Sequence, residues 1–195
     1  MLNVQKVVES KIQAAVDLIS VKNSFSIEKL TDLASRIQAI FDSDNKIAFV
    51  GNGGSAAEAM HLAAEFTGKC VIPHRPLPAI CLNESQSALT AIANDFGVED
   101  IFSRQVKAHL RKGDLLIALS TSGKSPNIVR ALRAARDLGV TCLLWTGNGE
   151  ITLDDVEIWS VPSNSTPRIQ EIHLIWGHVL AETLEEMLVN SDNSN

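Results

Sequence analysis

The sequence predicts an α/β protein: a five-stranded parallel sheet with helices on both faces, making three layers, and a helical segment in front of it. Three observations carry this. After Lys46, short apolar runs end in small polar residues and most lead into a helical segment, the rhythm of a parallel sheet with helical crossovers. The runs are continuously apolar rather than alternating, as strands buried on both faces are. A chain of 195 residues with 45% hydrophobic composition suits one domain with a substantial core.

Residues 1–44 read as the helical segment, with helices over 4–21 and 26–41. Ser26 and Glu28 open the second in a cap-like pattern, and the polar stretch 42–45 closes it. Val7, Ile12, Val16, Leu30, Leu33, Ile37 and Ile40 recur at helical spacing, so these helices are expected to pack against the domain or a second subunit. The α/β core spans 45–190. IAFVG leads through NGGSA into a helix over 56–67, AICLN into QSALTAIANDF, and LLIALS through TSGKS into a helix over 128–138. CLLWTG and VEIWSVPS supply two more strands, and Pro167 opens a last helix reaching about Val189. Residues 191–195 are expected to be a disordered tail. No internal repeat, linker or domain boundary is visible.

The net charge of −6 and pI near 5.3 exclude the basic footprint of a nucleic-acid or anionic-membrane binder. An anionic substrate must therefore be held locally. The amphipathic N-terminus lacks the signal-peptide pattern, and no apolar run approaches the roughly 18 residues of a membrane span, so a cytoplasmic location is expected. Cys70, Cys81 and Cys142 show no CxxC spacing and are expected to be buried free thiols.

Two loops stand out. GNGGSAAEA, residues 51–59, lies between a strand and a helix, where glycines let the backbone approach a ligand and the helix N-terminus offers unpaired N–H groups. It also fits a dinucleotide fingerprint, but the ribose-binding acid expected about 20 residues on would fall near 71–75, before the second strand begins. No nucleotide cofactor is expected. STSGKS, residues 120–125, again joins strand to helix, with hydroxyl and backbone donors suited to a phosphate. Either loop alone reads equally well as a capped turn; two at equivalent strand ends favour function.

GNGGSAAEAMHLAAEFTG, LTAIANDFG, ALSTSGKSPNIVRALRAARDLG and PRIQEIHLIWGH together resemble the phosphoheptose isomerases of the sugar-isomerase (SIS) domain family. The resemblance spans nearly the whole chain. It implies a single flavodoxin-like SIS domain over 1–195, with the N-terminal helices used in assembly. It also implies conversion of D-sedoheptulose 7-phosphate to D-glycero-D-manno-heptose 7-phosphate, the first step toward ADP- or GDP-heptose precursors. The loops specify only the SIS superfamily; His61, Glu65, Gln170 and His178 point to this isomerase. The competing reading is a non-catalytic SIS module that binds a sugar phosphate or a protein partner such as a replication initiator, and such a module has no reason to keep all four residues. A sugar-phosphate sensor would carry a further segment for which this length has no room.

His61 and Glu65, four residues apart, share one helix face and can ligate a metal or pass protons. Gln170 and His178 lie about 12 Å and some 80° apart on an ideal helix, so both could hardly meet one ion beside that pair. An irregular helix start near Pro167, ligands from different subunits, or one non-ligand would each resolve this. The resemblance implies one zinc per subunit held by His61, Glu65, Gln170 and His178, near an interface of a homotetramer. For aldose–ketose isomerisation through an enediol, Glu65 and His178 fit the base and acid. Asn52, Gly53, Gly54, Ser55, Glu65, Asn94, Asp95, Ser120, Thr121, Ser122, Ser125 and Gln170 are the expected substrate contacts, although Asn94 and Asp95 read from sequence alone as a helix C-cap. His74, His109 and His173 read as surface or packing residues, with His173 a candidate behind the site. Trp145, Trp159 and Trp176 read as core or interface.

Overall fold

In the computed structural model, which describes residues 3–21 and 24–192, every strand expected from the sequence is present. β1 (Ile47–Gly51), β2 (Ala79–Cys81), β3 (Leu115–Leu119), β4 (Thr141–Thr146) and β5 (Glu157–Ser160) form one parallel sheet in the order β2-β1-β3-β4-β5. The helices are α1 (Val4–Ser20), α2 (Ile27–Asp42), α3 (Gly54–Thr67), α4 (Gln86–Phe96), α5 (Ser103–His109), α6 (Pro126–Asp137) and α7 (Thr166–Asp192). Ser26 caps α2 by accepting from Lys29 N at 3.3 Å. α7 continues through Asp192, beyond the expected end at Val189 and into the expected tail; residues 193–195 of that tail lie outside the described residues.

Alternate residues of each strand feed two cores. Ile47, Phe49, Ile117 and Trp145 pack against α2, α3 and α7, whereas Ala48, Val50, Leu116, Ala118 and Leu144 pack against α5 and α6. α5 has no counterpart in the expected elements. Its single helical turns are too short for a periodic signal, and burial of Phe102, Val106 and Leu110 on one stripe holds it in place. Trp145, Trp159 and Trp176, remote in sequence, gather in the first core with ring centroids 5.5–6.1 Å apart. Cys81 and Cys142 are buried free thiols as expected, while Cys70 is only half-buried.

α3 and α7 run side by side in the same direction. Gly54 meets Gln170, Leu62 meets Gly177, and His61 meets His178. A Cβ at position 177 would collide with the Leu62 side chain, so glycine there sets how closely the helices approach. Past α3, Glu185 of α7 accepts the backbone N–H groups of Cys70, Val71 and Ile72 at 2.6, 2.9 and 2.8 Å. His74, expected at the surface or in packing, lies with its side chain 1% exposed and its Nε2 3.3 Å from Glu185 Oε1. The reason is that a carboxylate inside the fold needs donors, and the prolines on either side of His74 fold the loop back to supply them. Among the described residues no helix is long and apolar enough to cross a membrane.

Burial alone would raise the Glu185 carboxyl, but the three backbone amides and His74 outweigh it and hold the group below its ordinary 4.5. A carboxyl depressed on folding stabilises above its unfolded value and loses that contribution as pH falls through the folded value. Glu185→Gln is therefore expected to cost about 2 kcal/mol in urea unfolding at neutral pH. The gap to the parent is expected to close as pH falls below 4.5; a pH-independent gap would contradict this.

Candidate active site

Strand order reverses between β1 and β3, the position where ligands bind on such sheets. Gly51 and Leu119 end these neighbouring strands in register, so the loops at 52–55 and 120–125 emerge side by side. Two asparagine contacts hold them. Asn83 accepts from Gly51 N at 3.1 Å and donates to Gly51 O at 2.9 Å, closing the end of β1. Asn52 of the first loop and Asn127, at the start of α6, exchange two amide hydrogen bonds of 2.8 and 2.9 Å. Neither Asn83 nor Asn127 is among the expected site residues, although Asn127 lies within ALSTSGKSPNIVRALRAARDLG; their positions just past a strand end and at the head of a helix are the signal that points to them.

In the second loop Ser120 is buried, with its Oγ 3.5 Å from Ser125 Oγ, and Ser122 Oγ accepts from Lys124 N at 3.2 Å. Thr121 O accepts from Gly147 N at 3.1 Å, tying the loop to the end of β4. A polar hollow of about 300 Å³ opens where Thr121, Ser122 and Lys124 face Asn148, Ser163 and Thr166 at the start of α7. Two helix N-termini, α3 and α6, thus stand behind these loops, the second of them rich in hydroxyls, an arrangement that can bind an anion without a cation cluster.

Gly53 and Gly54 are exposed at the head of α3, and Ser55 is buried behind them. Gln170 lies so close to Gly54 that a Cβ there would meet its side chain, and its Nε2 donates to Ser55 Oγ at 3.3 Å. Farther along the same helix pair, His61 Nε2 lies 2.7 Å from His178 Nε2 and 3.5 Å from Glu65 Oε1. Ligand atoms of these three residues all lie within 4.8 Å of one another. The parallel run of α3 and α7 resolves the difficulty with Gln170 and His178: each meets a different level of α3, and the trio is complete within one chain. Gln170 is paired with Ser55 rather than gathered into that trio.

Two imidazole nitrogens and a carboxylate oxygen converging at the surface are a donor set that fits zinc. They also fit proton transfer. Asn94 and Asp95 sit exposed in the last turn of α4, where Asn94 Nδ2 donates to Asp95 Oδ1 at 2.8 Å. Among the described residues neither side chain hydrogen-bonds another site residue. The α4 C-cap is Gly97, at φ 91°, and not this pair. His109 is exposed as expected, whereas His173 is fully buried.

The SIS-domain family model matches residues 9–147. A phosphoheptose isomerase of Aquifex aeolicus is 45% identical over 163 residues, covering 83% of this chain and 85% of that protein; one of Aliarcobacter butzleri is 50% identical over 147 residues, 74% and 77% of the two chains. The solved structure of the phosphoheptose isomerase from Neisseria gonorrhoeae superposes with a TM-score of 0.86 at 34% identity, covering 94% of this chain and 100% of that one. The chain belongs to the SIS-domain family and, within it, to the phosphoheptose isomerases.

Proposed function

We propose that this protein converts D-sedoheptulose 7-phosphate to D-glycero-D-manno-heptose 7-phosphate, an aldose–ketose isomerisation that supplies heptose precursors. The observation that carries it is the meeting, within 4.8 Å, of His61 and Glu65 on the helix that starts at the first anion loop with His178 of α7. Glu65 is the base that takes the proton beside the carbonyl. His178 is the acid that protonates and deprotonates the oxygens of the enediol, and a carboxylate and an imidazole together can move both protons near neutral pH. Ser120, Thr121, Ser122 and Ser125 hold the 7-phosphate, with Asn52, Gly53, Gly54 and Ser55 opposite. Gln170, Asn94 and Asp95 contact the sugar hydroxyls. Convergence of the proton-transfer groups weighs against a binding-only module.

His61, Glu65 and His178 would hold a zinc ion, one per chain, with Gln170 joining them by turning from Ser55. When bound, zinc supplies a Lewis acid able to polarise a carbonyl. The protein works in the cytoplasm as a homotetramer. Support for assembly comes from α1, whose Val4, Val8, Ile12, Val16 and Ile19 are exposed, an apolar stripe that water does not favour.

Incubation of the purified protein with sedoheptulose 7-phosphate should yield the aldose; no product would reject the function. Glu65→Gln and His178→Ala should each lower kcat by about 10² to 10⁴ while leaving folded protein. Because both residues of a site lie in one chain, mixed oligomers of the two variants should recover no activity after subunit exchange; recovery would require a site shared between chains.

Ser120→Ala combined with Ser122→Ala is expected to raise KM about tenfold or more with a smaller change in kcat; unchanged KM would remove the loop from the phosphate site. Ile12→Asp together with Val16→Asp is expected to shift the sedimentation of the protein toward smaller species. A parent that already sediments as a monomer would reject assembly.

A further inference from the structure

Between the Ser55–Gln170 contact and the His61–Glu65–His178 group, the α3–α7 seam contains a second polar pair that the mechanism above does not use. Glu58 and His173 are 6% and 0% exposed. Glu58 Oε1 faces His173 Nδ1 across 3.9 Å, and neither Glu58 oxygen nor that nitrogen has a hydrogen-bond partner. Ser55 Oγ lies near enough to act on the carboxyl, but no hydrogen bond of normal geometry joins them. On the other side of the ring, His173 Nε2 lies 3.4 Å from Thr146 O. A carbonyl only accepts, so the ring proton belongs on Nε2 and Nδ1 presents a lone pair. Trp145 and Trp176 flank the imidazole at centroid distances of 6.0 and 5.5 Å.

Two buried acceptors facing each other with no donor are costly. One proton between them satisfies both: a protonated Glu58 donates its O–H to Nδ1. Burial acts in the same direction. It pushes Glu58 up to about 7, against the lowering effect of Ser55, and pushes His173 down to about 4, against the raising effect of the Thr146 carbonyl.

What the pair touches gives it a purpose. His173 stands a turn beyond Gln170 on α7, and Glu58 a turn beyond Ser55 on α3. Thr146 precedes Gly147, whose N–H holds Thr121 of the second loop at 3.1 Å, and the space beside Gly123 of that loop is bounded by Thr146 Oγ1. We propose that Glu58 and His173 are a buried positioning pair, joined by one shared proton, that fixes Gln170 and the 120–125 loop where they meet the substrate. This rests on the assignment of Gln170 and the loop to substrate binding.

The test compares two variants at a pH of about 6, below the Glu58 value of about 7. Glu58→Gln puts an amide N–H where the carboxyl O–H stands and is expected to keep KM and kcat within about threefold of the parent. Glu58→Leu, close in volume, leaves Nδ1 without a donor. It is expected to raise KM about tenfold with a smaller effect on kcat, and to melt at a lower temperature, since removing one partner leaves a buried acceptor unpaired. A merely structural pair would lower stability in the same way and leave KM unchanged. Parental KM in Glu58→Leu, or equal damage in both variants, overturns the proposal.

Two measurements stand apart from activity. The infrared spectrum of the parent should contain a protonated-carboxyl band that Glu58→Gln lacks, and the nitrogen shifts of His173 should be those of a neutral ring protonated on Nε2. Absence of the band or the other tautomer overturns the shared proton, and these results decide the matter should Glu58→Leu fail to fold. Parent enzyme that turns over no sugar phosphate, or Ser120 and Ser122 variants with parental KM, would instead mark failure of the underlying assignment.

Discussion

The parallel contact between α3 and α7 is the constraint on which the rest of the site depends. Gly177 lets α7 come up against Leu62, and this approach sets the register of every polar pair along the seam: Ser55 with Gln170, Glu58 with His173, His61 with His178. On α3, Ser55, Glu58, Leu62 and Glu65 follow the three- and four-residue steps of one helix face. A face that would normally be apolar carries three ionisable or hydroxyl groups. Burying them is unfavourable without partners, so the pairs formed with α7 restrict the two helices to one relative position. Beyond the seam, Glu185 extends the restriction to the loop after α3 through three backbone amides.

A chain of net charge −6 that binds a sugar phosphate must overcome its own field. The two loops offer preorganised neutral donors for this rather than a cluster of cations. β1 and β3 deliver their loops side by side, and the Asn52–Asn127 amide pair ties the head of α3 to the head of α6. Helix dipoles and backbone N–H groups act only over short range, so a phosphate at these loops would be held by position and not by long-range attraction. Such a site discriminates by where the other end of the substrate lies. The His61–Glu65–His178 group lies about two turns farther along the α3–α7 seam from the first loop, a separation that would suit a long sugar with its phosphate at one end and its carbonyl at the other.

Much of this was legible in the sequence, for identifiable reasons. Continuous apolar strands bounded by glycine and serine mark a buried parallel sheet, and all five appear at the expected places. The two loops and the His61–Glu65 pair are short-range patterns and survive intact. What escaped depends on contacts between distant residues. α5 is too short to show a period. Glu58 reads as one more acid on a helix, and only α7 lying beside α3 shows it to be buried against His173. His74 lies in a proline-flanked loop that looks exposed until Glu185, 111 positions later, takes it inside. Gln170 and His178 could not be reconciled on one helix because spacing along a single element says nothing about the direction of its neighbour.

The exposure of the trio bears on what completes the site. Removing a proton beside a carbonyl yields an enediol that water can protonate in the wrong place, so such sites work best when closed. Yet the His61 side chain is 45% exposed, and α4, which carries Asn94 and Asp95, buries none of its residues. Leu89 packs only in part against the second core and Phe96 is left exposed, a thin packed face for an eleven-residue helix, and helices of that length owe their stability to such a face. The same holds for the bare stripe on α1. Both uncovered surfaces, and the open side of the trio, are accounted for at once if further copies of the chain close over them: assembly then supplies the hydrophobic burial that the single chain lacks and the exclusion of water that the chemistry requires.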